Sequence, residues 1–199
     1  MSVYEVPGCS IVSNVKVYGL DESIRGSKFP MAVSVDDCNT EIVPRTIALG
    51  SVPTGTGHDN FLNGIVVQFD LTFTVKAWTE AERYHFFDFV SSQSTMHRIA
   101  KFDLDNQYID YVDPRMLDIM KELVDTYNRT DNPEDYLRCL YSNPCGFRLT
   151  AAMTTNYRQL KTIYQQRKAH RLPEWRQFCL FLETLPEFMK LCFGEEKTA

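Results

Sequence analysis

The run "GIVVQFDLTFTV", residues 64–75, constrains the fold more than any other stretch of this chain. Val66, Gln68, Asp70 and Thr72 alternate strictly with Val67, Phe69, Leu71 and Phe73. Successive side chains of a strand point to opposite faces, so this is a strand with one buried face and one face that is wet or covered by polar contacts. Upstream, "CSIVSNVKVYGL" alternates loosely, and "PMAVSV" and "EIVPRTIAL" are short apolar runs bounded by Pro, Asp and Asn. All three read as strands. Between the third and fourth strands "GSVPTGTGHDN" reads as a mobile loop, or equally as a ligand loop.

From Trp78 the texture turns helical. "WTEAERYHFFDFVSSQSTMHRIA" offers Thr79 and Glu82 as a capping box, with apolar positions at Phe86, Phe89, Val90 and Ile99. "DPRMLDIMKELVDTYNR" opens with Asp113-Pro114, a cap and a first-turn proline, and carries Met116, Ile119, Met120 and Leu123 at helical spacing. "NPEDYLRCLY" starts the same way at Asn132-Pro133, and "PEWRQFCLFLETLPEFMKLCF" reads as a buried final helix before the polar tail "GEEKTA". The expected fold is α+β, with an antiparallel or mixed sheet from the N-terminal half packed against a C-terminal helical half. At 199 residues the chain has the length of one domain, 1–199, with 1–75 mainly strands and 78–193 mainly helices.

Charge and cysteines narrow the function. A net charge of −5 argues against non-specific nucleic-acid binding, which needs a basic field over the docking face. Cys9, Cys38, Cys139, Cys145, Cys179 and Cys192 lack the paired spacing of a zinc site, and "MSVYEVPG" lacks a signal-peptide pattern. They read as reduced thiols of a cytoplasmic protein. No apolar run approaches the ~20 residues of a membrane helix. The sequon at Asn128 is then a chance match.

In "TTNYRQLKTIYQQRKAHRLPEWR", residues 154–176, Asn156, Leu160, Ile163 and Arg167 share one helical stripe, because residues eleven apart differ by only about 20° in azimuth. The stripe has polar ends and an aliphatic middle. It reads either as a core-facing helix whose ends emerge into solvent or as a helix with a ligand group at each end. Arg158, about 200° from Asn156, falls on the other side and suits an interface or a salt bridge. In "SSQSTMHRI", Gln93 and His97 are four apart and face together on a helix, with Arg98 adjacent. Such a His-Arg pair can fix an anion or a polar ring edge, or simply complement a helix C-terminus. No Ser/His/Asp order is assigned, and His85 and His170 have no partner at metal spacing.

Taken together, these segments resemble the flavin-dependent thymidylate synthase family. Its signature is Arg-His-Arg on a helix, then a polar run ending in Arg-Tyr, and later Trp-Thr-x-Asn-x-Arg-x-Leu with a further Arg eleven residues after the Asn. Here Thr154-Thr155-Asn156-Tyr157-Arg158-Gln159-Leu160 and Arg167 match the later helix. "QSTMHR" places Gln93, His97 and Arg98 at the earlier motif, and Arg138 ahead of Pro144 is similar to the family's Arg-x-x-Leu-Pro. The resemblance extends with gaps from about residue 57 to 176. Met96 replaces the first motif Arg, Lys101 stands at the first Ser, Asp103 or Asp105 approximates the Glu, and Gln107-Tyr108 replaces Arg-Tyr. "GHDNF" is the only candidate for the loop that helps seat FAD.

The resemblance implies a flavoprotein with a fold of the thymidylate synthase complementing type, a homotetramer with sites at subunit interfaces. It implies FAD at His97, Arg98 and Asn156, and dUMP at Gln93, Arg138 and Arg167, with methylenetetrahydrofolate and NADPH as co-substrates. No catalytic side chain and no metal ligand is expected, because the flavin carries the redox chemistry. The changes between Met96 and Tyr108 leave a second reading open: the same fold without turnover, a nucleotide- or partner-binding module, viral and directed at a host system. The compact, divergent character suits a phage origin.

Overall fold

The computed structural model describes residues 2–4 and 10–195. Cys9, most of "MSVYEVPG" and the last residues of "GEEKTA" lie outside the described residues. Five strands, β1 (Ser2–Tyr4), β2 (Val12–Tyr18), β3 (Val66–Thr74), β4 (Phe87–Ser92) and β5 (Arg148–Asn156), form a sheet in the order β1-β2-β3-β5-β4. The pairs β1–β2 and β2–β3 are antiparallel. The helices are α1 (Leu20–Gly26), α2 (Pro44–Gly50), α3 (Val75–Ala81), α4 (Thr95–Arg98), α5 (Leu104–Gln107), α6 (Pro114–Thr130), α7 (Pro133–Ser142), α8 (Tyr157–Arg167), α9 (Pro173–Leu182) and α10 (Phe188–Phe193). The fold is thus α+β, as the sequence pattern predicts. The chain forms two compact units, one of Met1–Leu71, Tyr84–Val90 and Ala152–Ala199, the other of Thr72–Arg83 and Ser91–Ala151.

In the first unit β3 follows its alternation: Val67, Phe69 and Leu71 are buried and Gln68 is exposed. The Phe69 ring lies 6.1 Å from Phe87, 5.7 Å from Phe178 and 5.8 Å from Phe181, so the aromatic residues of α9 cover this face. The loose alternation of β2 has a physical cause. A register shift between Ser13 and Lys16, with Asn14 at φ 54, lets Val12, Val15 and Val17 all face inward. "PMAVSV" and "EIVPRTIAL" are not strands. The first lies across 3₁₀ turns at Phe29–Met31 and Val35–Asp37, and in the second Pro44 opens α2, whose missing N–H costs nothing at the first helical position. Gly50 ends α2 where a Cβ would meet the Leu191 carbonyl at 2.2 Å, so α2 and α10 approach closely. The final aromatic segment is two helices, broken at residues 183–187, where Glu187 adopts φ 54.

In the second unit, α3 begins earlier than Thr79 and Glu82 suggest. Thr74 caps it by accepting from the Ala77 N–H at 3.1 Å, and the Thr79 hydroxyl donates instead to the Lys76 carbonyl inside the helix. The caps of α6 and α7 match their sequence signals: Asp113 accepts from Arg115 N at 3.0 Å and Asn132 from Glu134 N at 2.9 Å. These helices close over Ile99, Leu104, Tyr108, Met120, Val124, Cys139 and Phe147. Between the two units in sequence, the predicted long helix from Trp78 is interrupted by β4, whose Phe87 is buried while Phe86, Phe89 and Val90 are exposed. A strand of aromatic and β-branched residues won over a helical spacing that was incidental.

Candidate functional site

The two ends of α8 are built differently. β5 runs straight into the helix, and Asn156 is its N-cap: the side-chain carbonyl accepts from the Gln159 N–H at 2.9 Å. That leaves the Asn156 Nδ2 as the group able to reach a ligand. Leu160 and Ile163 are fully buried, which fixes the rotation of the helix. Arg167 closes α8, ~16 Å along the axis from Asn156. Its Nε donates to the Tyr84 hydroxyl at 2.7 Å, and its carbon Cζ lies 4.8 Å from the Trp175 ring centre and 5.4 Å from that of Tyr84. Tyr84 Oη donates in turn to Gln166 Oε1 at 3.0 Å. Nη1 lies 2.8 Å from His170 Nε2, while His170 Nδ1 is 3.2 Å from the Leu172 N–H. A neutral imidazole accepts at only one nitrogen, so these two contacts compete for the ring. The guanidinium therefore packs against two aromatic rings inclined at 68° to each other, and its contacts with Tyr84 and His170 fix the direction of its fork.

A second feature of the same unit lies at the loop read as mobile or ligand-binding. A cleft of about 710 Å³ is lined by Arg45, His58, Asn60, Phe61, Leu49 and Ser27, among others. The range for small-molecule sites is about 300–1,000 Å³. Arg45, His58 and Asn60 are exposed polar groups, and Leu49 and Phe61 give apolar wall. Between the two cleft residues His58 and Asn60, Asp59 is fully buried. Its Oδ1 accepts from Arg158 Nε at 3.0 Å and its Oδ2 from Lys161 Nζ at 3.2 Å. Arg158 is thus the salt-bridge residue its position on α8 suggests. Lys161, fully buried, also donates to the carbonyls of Gly50 at 2.7 Å and Val52 at 2.6 Å. Nothing in the local pattern marks Lys161. A lysine between Leu160 and Thr162 reads as solvated, and only a partner 102 positions away explains its burial.

In the second unit, Gln93 does not share a helix with His97. Its N–H donates to the Thr150 carbonyl at 2.9 Å and its Oε1 accepts from the Thr150 N–H at 2.9 Å, continuing the β4 pairing. The four-residue helix α4 starts only at Thr95, so the expected i, i+4 facing is absent. His97 and Arg98 end α4 and are exposed, and Met96 is 61% exposed. The Tyr136 hydroxyl of α7 donates to the Met96 carbonyl at 3.0 Å, tying α7 to this segment. Arg138 lies two positions further on, about 200° around the helix from Tyr136, and pairs with Asp135 at 2.8 Å. Part of the run after Arg98 packs inward, while Lys101, Asp103, Asp105 and Asn106 stay exposed. Ile99, Leu104 and Tyr108 are core, Tyr108 Oη donates to Asn143 Oδ1 at 2.7 Å, and Gln107 Nε2 donates to the Arg148 carbonyl.

The buried thiols offer no nucleophile at neutral pH. Burial, reinforced by Glu183, pushes Cys179 up to about 12, and burial likewise raises Cys139 and Cys192. Among the described residues no group of three or more His, Cys, Asp or Glu side chains is placed to hold a metal, and no helix is long and apolar enough to cross a membrane.

The architecture is that of the flavin-dependent thymidylate synthases, and it is the fold alone that this likeness establishes. Two solved structures of flavin-dependent thymidylate synthase ThyX from Helicobacter pylori, both with FAD and dUMP, match with TM-scores of 0.68 and 0.69. Each is 14% identical, and the match covers 90% of this chain and 97% or 96% of theirs. No family model matches the sequence, and no curated protein matches it.

Proposed function

We propose that this protein is a divergent flavin-dependent enzyme that methylates a pyrimidine nucleotide of the dUMP type. The observation that carries the reading is the cleft at "GHDNF", the stretch from which the family resemblance expects a flavin seat. Its residues suit such a cofactor. Arg45, His58 and Asn60 supply donors for a pyrophosphate, and Leu49 and Phe61 supply apolar surface for a planar ring. Asn156 Nδ2, His97 and Arg98 are further donors for the cofactor, which when bound supplies hydride chemistry that the protein's own side chains lack. In this reading Arg167, packed against Tyr84 and Trp175, meets a phosphate or the uracil edge, with Gln93 and Arg138 as the other nucleotide contacts. The thymidylate synthase ThyX structures that share the fold hold FAD and dUMP, which supports the same pair of ligands here. Methylenetetrahydrofolate as one-carbon donor, NADPH as reductant, a homotetramer with sites at subunit interfaces and a cytoplasmic setting complete the reading.

The packing of Ile99, Leu104 and Tyr108 into the core and the Arg138–Asp135 pair favour a second reading, a nucleotide- or partner-binding module of the same fold without turnover. One experiment separates the two. Incubation with FAD, NADPH, methylenetetrahydrofolate and dUMP yields dTMP under the enzyme reading. Nucleotide binding without any methylated product supports the module, and neither binding nor product contradicts both.

A further inference from the structure

We infer that Lys161 is a positioning residue for the cleft, holding the loop of residues 50–60 in the shape that presents His58 and Asn60 to an anionic, phosphate-bearing ligand; this rests on the ligand-binding reading of that cleft. All three ammonium hydrogens of Lys161 are used, on Gly50 O, Val52 O and Asp59 Oδ2. One buried cation therefore grips the loop at both its beginning and its end. The chain between these grips carries Gly55 at φ 98 and Gly57 at φ 81 and has little packing of its own, since residues 53–58 are all exposed. Thr54 Oγ1 ties it to α8 by donating to Gln165 Oε1 at 3.3 Å.

The grip also sets direction. Asp59 is drawn wholly inward by Lys161 and Arg158, and its two sequence neighbours, His58 and Asn60, are left lining the cleft. Loss of the grip frees Asp59 to turn out toward water, which would carry a carboxylate into the cleft and turn its neighbours away. Charge points the same way. One carboxylate is set against two cations, so the cluster under the loop carries a net positive charge, and Arg45 on the cleft wall adds another. That field favours an anion.

The test compares wild-type protein with Lys161→Met and Asp59→Asn, reading amide hydrogen exchange, thermal stability and affinity for FAD. Asp59→Asn keeps the volume and the two carbonyl bonds of Lys161, so it serves even where Lys161→Met fails to fold. The expected result is exchange in residues 51–60 faster by about tenfold or more in both variants, with α8 and β3 protection retained, and FAD affinity of the folded protein lower by about tenfold or more. Unchanged exchange in that loop in folded Asp59→Asn protein overturns the inference. Faster exchange with unchanged FAD affinity also overturns it, because the grip would then be structural only. Failure of wild-type protein to bind FAD defeats the cleft reading itself and is seen before any variant is made.

Discussion

Arg167 and His97 carry opposite expectations at the level of single residues. Arg167 Nε and Nη1 are engaged by Tyr84 and His170, and its Cζ packs against the Tyr84 and Trp175 rings. Arg167→Lys keeps the charge but loses the planar fork, so nucleotide affinity falls by the worth of one charged hydrogen bond, about 1.5–3 kcal/mol or roughly 10- to 150-fold in Kd. Calorimetric titration with dUMP checks this, and undiminished affinity would remove Arg167 from the site. His97 is exposed at the end of α4, so His97→Ala shifts stability by no more than about 0.5 kcal/mol while lowering flavin retention. A large fall in melting temperature with flavin binding unchanged would show His97 to be structural. Arg167 was legible because its offset from Asn156 is a sequence quantity. Lys161 was not, because its meaning depends on Asp59, Gly50 and Val52, which only the fold brings to it.

Legibility varied between elements for physical reasons. β3, α6 and α7 announce themselves, the first by alternation and the others by Asp113-Pro114 and Asn132-Pro133. β4 does not. With only Phe87 buried, it has no alternation to read, and the spacing of Phe86, Phe89 and Val90 imitates a helix. β5 hides behind α8, since "TTN" belongs to the strand and only its last residue caps the helix. That cap permits a separation of roles. Asn156→Asp retains a cap acceptor but loses Nδ2, so stability is kept while flavin affinity drops; Asn156→Ala loses about 1 kcal/mol of stability as well. Equal flavin affinity in the wild type and in Asn156→Asp would confine Asn156 to capping.

The whole molecule has a predictable response to alkali. Cys139, Cys179 and Cys192, together with Tyr108 and Tyr164, are held in their neutral forms chiefly by burial, with folded values above their ordinary ones. A raised folded value means that the stabilisation is fully present below the unfolded value and is lost as pH rises toward the folded one. For Cys179 the window runs from 9.0 to about 12. The melting temperature therefore holds near neutrality and falls progressively above about pH 9. A flat profile from pH 8 to 11 would mean that these groups are not buried as described.

At the same scale, the proposed function rests on one claim above the others, that the cleft at Arg45, His58 and Asn60 takes a flavin. Titration of FAD into the purified protein, followed by flavin fluorescence and visible absorbance, tests it directly. The account predicts saturable binding with a perturbed flavin spectrum, weakened by about tenfold or more when Arg45 and His58 are both replaced by Ala. A colourless protein that leaves the fluorescence of added FAD unchanged would contradict it.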